Sequence, residues 1–412
     1  MLRARGAHLD AIRRNGLTVE SARGGLHLKD VQVTDKADGL APVYAQYPIE
    51  VIGAEGVWLH TRDGRKVLDL YGGHAVASLG YGHAGWTKAL AGQAAQMNFQ
   101  TNAVPMEIRA RAAQKLLKFS RLPFDSVFWI NSGAEANENA FKMAFKMHPG
   151  RTHVAAVEQS FHGRTAACAS ATWGAPQKWL FLPRAPFDVS WIKRRDVSDI
   201  ANHVTGNTAA VIVEPVQGVG GAFDMGQEFL AALRKRCDDT GALLIFDEVQ
   251  CGVGRSGTPF AANYYGVMPD IITTAKALGN GFPVSAMLLT PPITQALKLE
   301  NLGTTFGGGP MACAVAEATI DAIENENLLE NVTRVSAHLR KTCKVGPVVD
   351  FQGLGFLHGL RLDKPAKDVQ KALLARDILA GTAGDPAILR LLPAFILKEE
   401  HIDRLRAALA VL

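Results

Sequence analysis

The sequence predicts an α/β fold with a mainly parallel sheet wrapped by helices, together with a smaller α+β domain. From about residue 105 onward, apolar segments of strand length alternate with segments of helical periodicity. Such alternation is typical of chains in which helices cross over between parallel strands. An apolar run that ends in an acid, as at 244–247, indicates a buried strand that delivers a carboxylate to the carboxyl edge of the sheet.

The elements follow in order. An N-terminal hairpin is predicted over residues 56–70, with Gly64 at the end of its turn. Strands are predicted at 125–130, 154–157, 209–214, 243–247, 271–274 and 285–289. Helical patterns such as 134–147 and 227–240 lie between them. After residue 309 we expect a long helix over 311–324, short strands at 348–351 and 355–362, and a last helix from Lys398.

Four regions follow from this order. Residues 1–40 form an arginine-rich, acid-poor leader, for which we expect partial disorder or an N-terminal helix that packs on a partner subunit. An organelle transit peptide is the alternative, but serine richness and a clean amphipathic stripe are missing. Residues 41–75 should complete the small domain, 76–308 should form the large domain, and 309–412 should form the C-terminal small domain.

Composition excludes several classes of function. The 412 residues are 48% hydrophobic and 20% charged, with a net charge of +5 and no basic run interleaved with aromatic residues. Nucleic-acid binding therefore has little support, and no apolar stretch reaches membrane-spanning length. The five cysteines are odd in number and lack CxxC spacing. They indicate buried or free thiols in a reducing cytoplasm, and neither a disulfide framework nor a metal site.

One acid and one lysine carry the strongest chemical signal. Asp247 ends the apolar run at 244–247, and Lys276 follows the next predicted strand among small residues. A buried acid beside a lysine suits pyridoxal phosphate, because the lysine can form a Schiff base with the aldehyde while the acid keeps the pyridine nitrogen protonated. For the pair alone, a structural ion pair at the sheet edge is an equal alternative.

Two strand-to-helix junctions add to this signal. Ser132 can cap the helix that follows it, and Gly133 lets the backbone close on an anion, so this junction suits a phosphate. Phe161 follows a strand and can stack on a pyridine ring, whereas Arg164 offers a fork for a carboxylate. Each junction alone is more often structural, and His162 is ambiguous between stacking and packing.

Three further segments complete the set. Glu214 ends another strand at the same edge, in Glu-Pro-Val-Gln-Gly. The loop at 303–310 is rich in glycine and carries two hydroxyl groups, Thr304 and Thr305, which suit a phosphate. Arg390 lies alone in an apolar run, where an unpaired guanidinium is costly and must be paired or functional.

In order and spacing, these segments resemble the class III, ornithine-type, pyridoxal-phosphate-dependent aminotransferases over roughly residues 40–410. The matching segments are Asn131–Asn137, Phe161–Thr165, Glu214–Gly218, Asp247–Gln250, Lys276 and Gly303–Phe306. Any one of them is weak, but six in family order are specific. The resemblance implies a fold-type I transferase with a seven-stranded sheet in its large domain.

The resemblance also implies roles for individual residues. Lys276 would be the Schiff-base lysine and proton shuttle, and Asp247 would pair with the pyridine nitrogen. The other implied cofactor-binding residues are Ser132, Gly133, Ala134, Phe161, His162, Glu214, Val249, Gln250 and Thr305. The implied substrate-binding residues are Arg164, Thr304, Arg390 and Tyr44. Thr305 would reach the site of the neighbouring subunit, so that a homodimer is the minimal active unit.

The expected reaction is a ping-pong exchange of the ω-amino group of N-acetylornithine with 2-oxoglutarate or glutamate, in arginine biosynthesis. Succinylornithine, ornithine, 4-aminobutyrate or a lysine-pathway amine remain alternative donors, and a same-fold aminomutase and a non-catalytic pyridoxal-phosphate-binding protein also remain open. Two positions depart from the family pattern. Val219 replaces a glutamate that usually masks the Arg390-type arginine, and Gly309 replaces an asparagine. We therefore expect Arg390 to be permanently unmasked.

Overall fold

The computed structural model describes four short strands within residues 2–34, residue 41, residues 43–174, residue 181 and residues 184–412. Residues 1–52 with 61–64 form one compact unit, and residues 53–60 with 65–412 form another. The strands of the first unit are Leu2–Arg3, Leu17–Ser21, Gly24–Leu28 and Val33–Thr34, and Val51–Glu55 begins at its end. Most of the predicted leader lies outside the described residues, so its role stays a prediction.

A seven-stranded sheet forms the centre of the second unit. Its order is Asp188–Ile192, His153–Val157, Thr208–Val213, Leu243–Asp247, Ile271–Thr274, Ser285–Leu289 and Ser126–Ile130. Every neighbouring pair is parallel except the two pairs made by Ser285–Leu289. The predicted mainly parallel α/β sheet is therefore confirmed. The edge strand Asp188–Ile192 is an addition that the sequence analysis missed.

Helices cover both the sheet and the segments around it. Their bounds are Gly72–Ala75, Ala84–Gln96, Glu107–Ser120, Gly133–Met147, Ala166–Ser170, Ile200–His203, Gln227–Thr240, Ala261–Tyr265, Pro291–Ala296, Pro310–Asn325, Leu328–Thr342, Ala366–Leu374 and Glu399–Leu409. The first is a left-handed turn, since Gly73 and His74 both have positive φ and ψ. The apolar face of Gly133–Met147 packs on fully buried sheet residues and forms the main core.

Two smaller sheets flank this centre. One joins Trp58–Thr61, Lys66–Asp69 and Ile378–Leu379, so that the predicted hairpin is present with Trp58 opposite Leu68. The other runs in the order Val348–Leu354, Leu357–Leu362, Ile388–Leu391 and Gly381–Thr382, all antiparallel. A two-stranded ribbon joins Val216–Gln217 to Phe223–Asp224. The division at residues 75 and 309 stays a prediction, because one compact unit contains both sides of each boundary.

All five cysteines are buried and free of disulfide bonds, as the sequence analysis predicted. In the part of the chain that the structure describes, no helix has both the length and the apolar character needed to cross a membrane.

Candidate active site

Six of the seven strands of the central sheet end at the same edge, and five of them lead into residues predicted for the site. Four of these strands, ending at Val157, Val213, Asp247 and Thr274, are parallel neighbours. The strand that ends at Ile130 runs in the same direction, because it is antiparallel to a strand that is itself antiparallel to the others. The side chains predicted for the site follow these ends, and ligands of open α/β sheets bind at such an edge.

Asp247 is the centre of a buried hydrogen-bond network. Its side chain is 3% exposed, and its Oδ2 atom accepts from Asn137 Nδ2 at 2.8 Å and lies 2.7 Å from His162 Nδ1. Its Oδ1 atom accepts from the Val249 N–H at 3.1 Å. Thr273, paired with Asp247 in register, donates to Asn137 Oδ1 at 2.7 Å. These partners offset the cost of burying a carboxylate and hold it in one orientation.

Asn137 lies within the predicted motif Asn131–Asn137, but its residue type alone predicts no role. It lies on the first full turn of the helix Gly133–Met147, four positions after Gly133, so its side chain lies on the same helical face as that helix start. It is 1% exposed, and it donates to the His162 carbonyl as well as to Asp247. That spacing was the available signal, since a buried amide on the sheet-facing side of a helix requires partners.

The start of that helix forms a cup for an anion. Ser132 caps it by accepting from the Glu135 N–H at 3.2 Å, while Glu135 accepts from the Asn131 and Ser132 N–H groups. A side chain at Gly133 would approach Val249 Cγ1 to 2.6 Å, so only glycine permits this packing. The remaining N–H groups of the first turn and the helix dipole then favour a phosphate.

Glu214 connects two loops of the site. It is buried, and it accepts from the Phe161 N–H at 2.8 Å and from the Gly218 N–H at 3.0 Å. Burial, reinforced by the nearby Asp247 carboxylate, raises the pKa of Glu214 to about 7. Phe161, predicted to stack on the cofactor ring, is half-buried.

Lys276 begins a short 3₁₀ turn, Lys276–Gly279, directly after the strand next to Asp247. Burial lowers the pKa of its amine, although the charges of Asp247 and Glu214 act in the opposite direction. The Arg390 charge adds to the lowering. A lowered pKa increases the neutral fraction of the amine, which is the form that attacks carbonyl groups and accepts protons.

Arg390 is 6% exposed and is held by neutral acceptors. Its Nε donates to the Thr382 carbonyl at 2.7 Å, its Nη1 to the Gly218 carbonyl at 3.0 Å, and its Nη2 to the Tyr71 hydroxyl at 2.9 Å. No carboxylate of the described residues pairs with it. Because a guanidinium has five N–H donors, two remain available to an anion.

Tyr71 and His74 form a wall of the site that sequence reasoning did not assign. Their rings lie 4.7 Å apart, and Tyr71 also stacks with the Arg390 guanidinium at 5.6 Å. Burial lowers the pKa of His74, and the charges of Arg390 and Lys276 lower it further. His74 therefore lies within electrostatic range of both cations. The glycine-rich turn Gly72–Gly73 was the signal for close backbone packing here.

The remaining predicted residues differ in position. Thr304 is half-buried and joins the helix start, since its Oγ1 accepts from Asn131 Nδ2 at 3.3 Å. Thr305 and Arg164 are exposed. Tyr44 belongs to the first compact unit and is also exposed. The structure therefore brings most of the predicted set to one sheet edge, and it does not test the contacts expected of these last three.

The chain belongs to the class-III aminotransferase family. The model of that family matches residues 40–411, which confirms the resemblance inferred from the six segments. The chain is 36% identical over 377 residues to an acetylornithine aminotransferase of Methanocaldococcus jannaschii, covering 89% of this chain and 94% of that protein. It is 38% identical to an acetylornithine/succinyldiaminopimelate aminotransferase of Yersinia pestis over 381 residues, covering 89% and 93%.

Solved structures agree with this assignment. An ornithine aminotransferase of Toxoplasma gondii has a TM-score of 0.85 at 26% identity, covering 90% of this chain and 91% of that one. An acetylornithine aminotransferase of Elizabethkingia anophelis has a TM-score of 0.80 at 28% identity, covering 90% and 96%. The fold is therefore that of the fold-type I transaminases, and the chain is a transaminase whose family implies pyridoxal phosphate as cofactor.

Proposed function

We propose that this transaminase exchanges the ω-amino group of N-acetylornithine with 2-oxoglutarate or glutamate in the cytoplasm, with pyridoxal phosphate bound through Lys276. The observation that carries the proposal is the position of Lys276, which follows the strand that pairs with the strand of Asp247. The charges of Asp247 and Glu214 raise the pKa of its amine, and the Arg390 charge lowers it. The names of the relatives from Methanocaldococcus jannaschii and Elizabethkingia anophelis support the choice of amine.

The residues present fit pyridoxal phosphate. Gly133 lets the helix start pack directly against Val249, and the first-turn N–H groups that the Ser132 cap leaves free can bind a phosphate. Gln250 is nearly buried, and its Oε1 atom has no hydrogen-bond partner among the described residues. Because the two ends of an amide are exchanged by a flip, this side chain can donate to the phenolic oxygen of the cofactor.

Each side chain then has a distinct task. When bound, the cofactor supplies an aldehyde that takes up the amino group and a ring that accepts electrons from the reacting carbon. Lys276 Nζ holds the cofactor and, once displaced, moves the proton of the substrate carbon. Asp247 holds a proton on the ring nitrogen, and its remaining lone pairs suffice because a carboxylate has about four acceptor positions. Arg390 binds the α-carboxylate of glutamate.

Arg164, Thr304 and Tyr44 are proposed as contacts of the acyl-ornithine. The exposure of Arg164 and the anchoring of Thr304 at the helix start support this for the first two. His162 supports the ring indirectly, because its Nδ1 atom holds Asp247.

The proposed active unit is a homodimer in which Thr305 binds the phosphate of the neighbouring site. Thr305 is exposed beside an apolar surface that includes Phe306, 65% exposed, and Phe99, with ring centroids 5.5 Å apart. Sedimentation analysis tests the assembly. If Thr305 acts across the interface, inactive Lys276→Ala subunits mixed with Thr305→Asp subunits should regain activity at one of their two sites.

The decisive experiment is a single-turnover absorbance assay on the cofactor-loaded protein without keto acid. N-acetylornithine, ornithine, succinylornithine, 4-aminobutyrate and glutamate are added separately. The proposal requires fast loss of the long-wavelength band with N-acetylornithine and glutamate and slow loss with the others. A fast reaction with glutamate and an amine other than N-acetylornithine would mean that the enzyme acts in another pathway. An absorbance that no donor changes would contradict the proposed reaction altogether.

A further inference from the structure

Arg255 is a fully buried arginine that the reaction does not use directly. Its side chain is 0% exposed, and no carboxylate of the described residues forms an ion pair with it. Burial lowers the pKa of its guanidinium to about 9, which leaves it protonated at neutral pH. Since an unpaired buried charge is costly, a structural or functional gain must offset it.

Backbone carbonyls replace a carboxylate partner. Arg255 Nη2 donates to the Ala75 carbonyl at 3.1 Å, and Nη1 donates to the carbonyls of Phe356, at 3.4 Å, and Pro393. The guanidinium also lies over the Phe395 ring, 4.6 Å from its centroid. One charge therefore joins three separate segments of the chain.

Each of these segments is adjacent to Arg390. Ala75 ends the left-handed turn that follows Tyr71, the hydroxyl acceptor of Arg390. Pro393 follows the strand that carries Arg390, and Phe356 directly precedes the strand in which Gly359 pairs with Arg390. The three carbonyls held by Arg255 thus belong to the segment that carries Arg390, the segment that pairs with it and the turn that follows its acceptor Tyr71.

The left-handed turn needs such a restraint. His74 has φ 66° and Ala75 has φ 67°, a conformation that residues other than glycine adopt only when their surroundings enforce it. The same segment continues to Ser78, whose hydroxyl donates to the Ala277 carbonyl in the turn that begins with Lys276. A shift at Ala75 would therefore be transmitted towards Tyr71 on one side and towards the Lys276 turn on the other.

We propose that Arg255 is a positioning residue for the α-carboxylate site, holding Tyr71 and Arg390 in the geometry that binds an amino acid. This inference rests on the proposed role of Arg390. Arg255 does not touch the substrate, and it acts through the backbone of three segments. A lysine at this position keeps the charge but cannot hold three carbonyls in the plane of a guanidinium.

The test uses glutamate and 4-aminobutyrate, which differ only by the α-carboxylate. Single-turnover reactions of the cofactor-loaded R255K variant should show an apparent Kd for glutamate raised about tenfold or more, because small misplacements near a site have effects of this size. The apparent Kd for 4-aminobutyrate should stay within about twofold. Hydrogen exchange of the amides at 71–79, measured without substrate, should become faster in R255K.

Three variants separate the possible outcomes. R255M serves as a second substitution if R255K does not fold. L339A, in a buried position of the helix Leu328–Thr342, should lower the melting temperature without changing the ratio of the two Kd values. R390K tests the proposed function, because it should change that ratio by itself. If R390K changes the ratio and R255K leaves both the ratio and the exchange of 71–79 unchanged, the positioning role is wrong and the proposed function stands. If R390K leaves the ratio unchanged, the proposed role of Arg390 is wrong.

Discussion

The Asp247 network and the Arg390 pocket are both buried, but they balance their charges in opposite ways. Asp247 receives hydrogen bonds from the Asn137 side chain, the Val249 N–H and the Nδ1 atom of His162, all within this chain. Arg390 has only a hydroxyl and two carbonyls as acceptors. The Asp247 carboxylate is therefore fixed by three donors and keeps lone pairs for one further N–H, whereas the Arg390 guanidinium keeps two N–H donors and a positive charge that an anion from solution can neutralise.

The difference supports the proposed division, in which the Asp247 region serves the cofactor and the Arg390 region serves the substrate. A cofactor that stays bound through many turnovers benefits from a rigid acid whose orientation never changes. A substrate that leaves in each cycle needs a charge without a permanent internal partner, because such a partner would compete with the substrate carboxylate. Substitutions in the two regions should therefore have different effects, and the residue on which both regions act should be the most sensitive.

Lys276→Ala should have the largest effect. Asp247 and Arg390 both influence this amine, and no other lysine is proposed for the site. We expect turnover to fall by about ten-thousandfold or more, since covalent attachment and proton transfer are lost together. The measurement is the single-turnover rate, together with borohydride reduction and mass analysis of the peptide that contains residue 276. Lys235→Ala, on an exposed helix surface, is the control and should be normal. Borohydride labelling at a different lysine would contradict the assignment.

Asp247→Asn should have the next largest effect. The substitution keeps the shape of the side chain but removes the charge that is proposed to hold a proton on the ring nitrogen. We expect the rate of proton transfer to fall about a hundredfold or more, with little change in the apparent Kd for glutamate. Asp270→Asn provides a matched control, because Asp270 precedes the neighbouring strand at the opposite edge of the sheet. A raised apparent Kd for glutamate with an unchanged rate of proton transfer would mean that Asp247 contributes to substrate binding and not to the proposed cofactor chemistry.

Val219→Glu should give the Arg390 guanidinium a charged partner within the chain. Val219 is 39% exposed and follows Gly218, whose carbonyl accepts from Arg390. A carboxylate here would compete with the substrate, so the KM for glutamate should rise about tenfold relative to that for 4-aminobutyrate, equivalent to about 1.4 kcal/mol. Val219→Gln controls for size. An unchanged KM ratio would show that position 219 does not mask Arg390.

Much of this fold was predictable because burial leaves periodic patterns. The helix Gln227–Thr240 and the strand Leu243–Asp247 have the predicted bounds. The strand Asp188–Ile192 was missed because it lies at the edge of the sheet and mixes polar with apolar residues, so it lacks the continuous apolar run of a central strand. The reversed direction of Ser285–Leu289 was not predicted either, since an apolar run carries no information on direction.

The positions of candidate residues were predictable where chemistry restricts residue type, as for Lys276 and Asp247, which lie at the carboxyl ends of neighbouring strands. Asn137 and Tyr71 could not be assigned, because an amide or a phenol is common in many structural settings and its role depends on where the side chain points. Arg255 shows the same limit. Its sequence neighbours are glycine and serine, and its three partners are backbone carbonyls that each lie more than a hundred residues from it along the chain.

The smallest effect on turnover is expected from Glu248, which follows Asp247 but points away from the proposed chemistry. Its carboxyl oxygens accept from the N–H groups of Ala261 and Ala262 at the start of a helix, and burial raises its pKa to about 8. In the unfolded chain a glutamate titrates at its ordinary pKa, about 4.3. At pH values between these two pKa values, Glu248 holds more protons in the folded protein than in the unfolded chain. Raising the pH through this range therefore lowers the free energy of unfolding.

Glu248→Gln should remove this dependence on pH while leaving catalysis nearly normal. The stabilising contribution of the protonated acid is complete below about pH 4.3 and is lost as the pH rises to about 8, with a slope of up to about 1.4 kcal/mol per pH unit. Urea unfolding at pH 5.5 and 7.5 should show the parent protein losing more stability than the variant over this interval. The Glu214 carboxyl titrates in both proteins, so the difference between their slopes isolates Glu248. Equal slopes of the free energy of unfolding against pH in the two proteins would mean that Glu248 stays ionised in the folded protein. Its two N–H donors would then stabilise the carboxylate, as the donors around Asp247 stabilise that carboxylate.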